Sequence, residues 1–253
     1  MKKSLIKHIL LMIGGVAFLI AVWITAYFCV GNEVLVPSFL ETVKQTCLLL
    51  MNSAFWLSFV YTLLRVLCAF VCSFAFAVGL AIIAYLYPAF RSLLAPVVAV
   101  LRSLPVLAVL LIILVWSGGN TAPIIVAFLS LFPVLYTATL SALCGIDTDL
   151  LEMSAVYKVP VKTQIQKLYL PAVAPKLIKE GGASLGFGVK LVVSAEVLAR
   201  TKNSLGTLMQ DAKIYEQLPK LFALVVVACV IGFLLESVFV AVANRLQRRR
   251  KCN

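Results

Sequence analysis

Between residues 58 and 86 the chain carries one charged side chain, Arg65, in 29 positions. A run of that length and polarity is hard to place in a water-soluble domain. Crossing a bilayer takes about 20 apolar residues as helix, because only a helix pairs every backbone N–H and C=O within its own segment where no water is available. Similar runs recur along the sequence, and 63% of the 253 residues are hydrophobic against 13% charged, with a mean hydropathy of +1.08. The expected class is an all-α, polytopic membrane protein, and six passages with their loops use up the chain. No length remains for a soluble catalytic domain.

The first passage is expected at 9–30, after a basic start, and is read as an uncleaved helix because no small-x-small cleavage pattern follows it. The second is placed at 58–86. The third begins near Leu93 and is interrupted at Arg102–Pro105, since Pro105 removes an intrahelical hydrogen bond. A turn at SGGNTAP separates it from the fourth, which ends near Cys144. The fifth is expected at about 174–199 and the sixth at about 220–243. With the N-terminus inside, fourteen Lys and Arg fall on that side and five on the other, which places both termini in the cytoplasm. Residues 1–35 then form an N-terminal helix with an extracytoplasmic segment, 57–244 the main membrane domain, and 245–253 a basic tail.

The net charge of +12 lies beside apolar runs, so it reads as topology signal and contact with membrane lipid, and no nucleic-acid partner is expected. Cys29, Cys68, Cys72, Cys144 and Cys229 fall in or beside apolar runs without a CxxC pair and read as small hydrophobes. His8 stands alone, so no metal site is expected, nor any cofactor. No nucleophile, base and metal constellation marks an enzyme.

One polar segment interrupts the cytoplasmic side, EMSAVYKVPVKTQIQKLYLP, from Glu152 to Pro171. Asp149 followed by Glu152 reads as a capping box opening a short helix, with Leu150, Leu151, Met153 and Val156 as its apolar face. Val159 and Pro160 are expected to break it. VKTQIQKLYL then reads as a second short amphipathic helix, closed by Pro171 at the membrane surface. Two amphipathic helices joined by a turn make a knob suited either to docking a partner or to lying on anionic lipid.

This segment, 147–171, resembles the EAA loop of binding-protein-dependent ABC importer permeases. Glu152 matches the glutamate of that pattern, Ala155 a small residue, Leu168 the isoleucine, and Leu170 with Pro171 its L-P; Lys158 stands where the family has glycine. VPSF at 36, LLRVLCAF at 63, LRSLPVLA at 101 and VVSAEVLARTKNSLGTLM at 192 resemble further family motifs in the same order, and the nearest subfamily includes permeases for sulfonates, taurine, nitrate and thiamine precursors. The resemblance implies a type I importer permease in the bacterial inner membrane, working as a homodimer. It also implies an ATP-binding cassette subunit docked on Glu152, Ala155, Tyr157, Lys158, Leu168, Leu170 and Pro171, and an extracytoplasmic substrate-binding protein.

No G-x-x-x-x-G-K-[ST] is present, so the chain carries no phosphate-binding loop of that kind. Gly181–Lys190, GGASLGFGVK, reads instead as small residues for close helix packing. Charges inside the apolar runs are Arg65, Arg102, Lys190, Glu196 and Glu236, each costing about 2.5–3.5 kcal/mol at a helix centre. Lys190, Glu196 and Arg102 are the pathway candidates. Lys190 is suited to meeting an anionic solute or pairing with a carboxylate, while Arg65 and Arg102 suit carbonyl contacts. Glu152 suits accepting from an ATPase arginine or capping its own helix. The competing reading is an ion-coupled secondary transporter using Lys190 and Glu196.

Overall fold

In the computed structural model the described residues are 2–32 and 35–251 for the backbone, and 14–15, 17–18, 20–32 and 35–245 for side chains. His8 and the basic residues 246–253 lie outside the described side chains, as does much of the first expected passage. The described residues form helices α1 (Lys2–Val30), α2 (Phe39–Leu50), α3 (Ser53–Leu86), α4 (Pro88–Ser103), α5 (Val106–Cys144), α6 (Thr148–Val156), α7 (Val161–Gln164), α8 (Leu170–Ala199), α9 (Leu205–Ile214) and α10 (Leu218–Lys251). Among them, Ser53–Leu86, Val106–Cys144, Val161–Ala199 and Leu218–Arg245 are long and apolar enough to cross a membrane.

The chain divides into two compact units, Met1–Trp56 with Leu208–Val227, and Leu57–Thr207 with Ala228–Asn253. In the first, Trp23 of α1 packs edge-on against Phe39 and lies 5.4 Å from Phe222, while its indole N–H donates to the Pro37 carbonyl at 3.1 Å. Ser38 caps α2, its Oγ accepting from the Glu41 N–H. That bond satisfies one of the donors a helix start leaves open.

In the second unit the expected break before Pro105 is present: α4 ends at Ser103 and Leu104 is extended, at φ −65° and ψ 129°. The turn expected at SGGNTAP is made at a single residue, Gly118, at φ 71° and ψ 171°, a conformation that favours glycine. Leu110 and Ile113 before it share one apolar cluster with Ala122 and Val126 after it. On a straight helix Leu110 and Val126 would lie about 24 Å apart at 1.5 Å per residue, so α5 folds back on itself as a hairpin.

Lipid is as apolar as leucine, so helices in a bilayer associate through close packing and interhelical hydrogen bonds. The glycines of α8 do this against α10. A Cβ on Gly182 would meet Val240 Cγ2 at 2.6 Å, and one on Gly186 would meet the Gly232 carbonyl at 3.3 Å. Ser73 of α3 reaches across to α5, its Oγ donating to the Phe128 carbonyl at 3.2 Å.

Candidate functional site

The polar segment begins differently from its expected capping box. Asp147 is the N-cap of α6, its Oδ1 accepting from the Asp149 N–H at 3.1 Å. Asp149 therefore lies inside the first turn, where its charge complements the helix dipole. Glu152 falls one turn further in, exposed, and makes no hydrogen bond or ion pair among the described residues. Capping its own helix is not what Glu152 does here.

Nor do Val159 and Pro160 make the turn that follows. The helix ends at Val156 with Tyr157 as its C-cap, and the chain reverses at Lys158, at φ 48° in the left-handed region. Lys158 N–H donates to the Ala155 carbonyl and Val159 N–H to that of Ser154, both at 3.0 Å. These are the two bonds of a Schellman cap, whose left-handed position is usually glycine because it has no Cβ to clash. Lys158, which stands at the family pattern's glycine, thus takes a backbone conformation that glycine favours. Pro160 instead caps α7, its carbonyl accepting from Thr163 and Gln164.

The expected stop at Pro171 is absent as well. Residues 161–199 run as one helical rod, with a single π turn at Ile165–Tyr169 just before the proline. Leu170 N–H bonds back five residues to Ile165. Pro171 has no N–H, and its ring crowds the carbonyl of Lys167; the wider turn relieves that conflict without breaking the helix.

Side chains then brace the segment. Gln164 Nε2 donates to the Val159 carbonyl at 2.9 Å, Tyr169 Oη donates to Gln164 Oε1 at 3.0 Å, and the buried Tyr169 ring packs edge-on against Tyr85 of α3. Val156 and Tyr157 are the most exposed apolar residues of the segment, at 78% and 76%. Ala155 is exposed beside them, and Leu168 and Leu170 are half-buried. A groove of about 380 Å³ runs beside this tip, lined by Leu150, Met153, Tyr157, Val159, Lys167 and Leu168.

Among the intramembrane charges, Glu196 is placed apart from the other two candidates. It is fully buried, and Arg65 Nη1 lies 2.9 Å from its Oε1. Thr62 Oγ1 and the Gly206 N–H donate to Oε2 at 2.9 and 3.3 Å. The guanidinium also donates to the carbonyls of Lys202 and Asn203, the carbonyl contacts expected of Arg65. A Cβ on Gly206 would sit 2.4 Å from Glu196 Cβ, so only glycine lets the start of α9 approach this closely. This buried knot ties α3, α8 and α9.

Lys190 lies on the opposite kind of surface. Ala183, Phe187, Lys190, Ser194 and Leu198 recur at helical spacing and form an exposed stripe along α8, a helix otherwise largely buried. Lys190 makes no ion pair within 4 Å among the described residues. Arg102, exposed in the last turn of α4, borders a cavity of about 210 Å³ that Phe187 also lines. Arg102 and the Lys190 stripe therefore converge, while Glu196 does not join them. No spacing marks Thr62 or Gln164, since Thr62 bonds Glu196 across 134 positions and Gln164 acts through a turn geometry that no periodic pattern encodes.

A family model described as binding-protein-dependent transport system inner membrane component matches residues 73–251. The taurine transport system permease protein TauC of Escherichia coli is 28% identical over 95% of this chain and 90% of its own length. The putative aliphatic sulfonates transport permease protein SsuC of Bacillus subtilis is 31% identical over 59% of this chain and 54% of its own. In structure, an inward-facing conformation of the MetNI methionine ABC transporter aligns with a TM-score of 0.63 at 19% identity, over 77% of this chain and 96% of that one.

Proposed function

Because this chain belongs to the binding-protein-dependent transport system inner membrane components, multi-pass proteins of the cytoplasmic membrane, we propose that it forms one half of a homodimeric importer pore driven by a separate ATPase. The ATPase seats on the tip of α6. An extracytoplasmic binding protein delivers the solute, a small anionic or polar organic molecule, in keeping with the taurine and aliphatic sulfonates named for two relatives. The observation that carries this reading is the rigid, exposed Val156–Tyr157 tip joined through a braced turn to the α8 rod. Burying such side chains on a partner stabilises a contact by roughly 1.5–3 kcal/mol each.

A push on the tip passes through Gln164 and Tyr169 into α8, which carries the Lys190 stripe along its exposed face. Closure of the ATPase dimer then tilts α8 and turns the pathway from inward- to outward-facing. Lys190 and Arg102 offer cations to a passing anion. The ion-coupled alternative, read on Lys190 with Glu196, draws no support from Glu196, which is ion-paired with Arg65.

Glu152 is free to accept from an ATPase arginine. In the complex reconstituted with its ATPase and binding protein, Glu152→Lys should abolish solute-stimulated ATP hydrolysis while the permease still inserts. Wild-type stimulation in that variant would overturn the coupling role. Uptake that persists without ATP would overturn the importer reading itself.

A further inference from the structure

Glu236 is the intramembrane carboxylate left over once Glu196 and Arg65 have paired. It is half-buried on α10 and makes no hydrogen bond or ion pair among the described residues. Its side chain lies along the glycine face of α8: Cγ is 3.6 Å from where a Cβ of Gly182 would stand, and Oε2 is 3.1 Å from that of Gly186. The missing side chain at 186 is what lets a carboxylate come this close to the α8 backbone.

One turn further along α8, at the edge of the face packed on α10, stands Lys190, which makes no ion pair among the described residues. Residues four apart on a helix have Cβ atoms about 5–6 Å apart. Helical side chains also lean toward the N-terminus, over the preceding turn, so the lysine stem runs back toward Gly186 and the Glu236 carboxylate. Lys179, one turn before Gly182, leans the other way, away from Glu236. Arg65 is held by Glu196, and Arg102 is on α4.

We propose that Glu236 is the counter-ion of Lys190, the two meeting across the Gly186 gap by a change of lysine rotamer alone. The pair leaves the exposed stripe of α8 electrically neutral while α8 and α10 are packed, and it frees an ammonium only when they separate or an anion draws the lysine away. This goes beyond the transport reading and stands without reference to the ATPase or the solute.

Charge exchange tests it. In the full-length permease expressed by itself, Lys190→Glu and Glu236→Lys alone should each lower the yield of monodisperse detergent-purified protein several-fold. The double exchange should restore most of it, and Lys190→Arg should give the wild-type yield. A membrane-permeant carbodiimide, which condenses a carboxylate with an amine in contact with it, should join the α8 and α10 peptides through Glu236 and Lys190, and the Lys190→Arg protein should give no such product. Additive losses with no recovery in the double exchange would overturn the pair, as would an amide formed to Lys179 instead.

Discussion

A carboxylate taken out of water without partners costs several kcal/mol, and an arginine left beside its vacated site costs as much again. Glu196 meets that cost through three donors from three parts of the chain, Arg65, Thr62 and the Gly206 backbone. Breaking such a pair from one side costs about 3–5 kcal/mol, so Glu196→Ala should sharply lower the thermal unfolding midpoint of the detergent-purified protein. Joint replacement of Glu196 and Arg65 by apolar residues should recover part of the loss, which a thermal-shift series of the single and double variants would check. The identity of this site was half legible in sequence. Charges inside apolar runs mark Arg65 and Glu196 at once, but their separation of 131 positions hides the pairing, and Glu196 reads as well for a pathway as for an anchor until its surroundings are seen.

Among the elements, the α6 turn is where local rules and the observed geometry part. Proline chemistry points to Val159 and Pro160 as the breakers, yet the chain has already reversed at Lys158. A left-handed conformation costs a residue with a Cβ roughly 1–2 kcal/mol, offset here by the two cap hydrogen bonds of Lys158 and Val159. Lys158→Gly should relieve that strain at some cost in unfolded-chain entropy, for a net gain of about 0.5–1 kcal/mol. The expected result is slower amide hydrogen exchange across Leu151–Val156 in the variant; faster exchange would mean that the lysine side chain itself holds the turn. Pro171 teaches the reverse lesson. A proline after a short amphipathic helix reads as its end, but a π turn upstream absorbs the conflict, and the helix runs on into α8.

For the whole molecule, the consequence of that continuous rod is that the α6 tip and the Lys190 stripe belong to one mechanical piece. Under the transport reading, Lys190→Met should reduce uptake of an organic sulfonate such as taurine at least tenfold, about 1.4 kcal/mol, while basal ATP hydrolysis by the assembled complex stays near wild type. Unchanged uptake would remove Lys190 from the pathway. The membrane class, most of the helices, the break before Pro105, the turn near Gly118 and the close packing of the α8 glycines all follow from the sequence, because burial in lipid, proline and glycine act through residues near one another along the chain. What only the tertiary structure decided is which charges meet: Glu196 with Arg65, Glu236 against Gly186, and Lys190 on an open face. Such pairings depend on the rotation and depth of whole helices against each other, and a one-dimensional pattern carries neither.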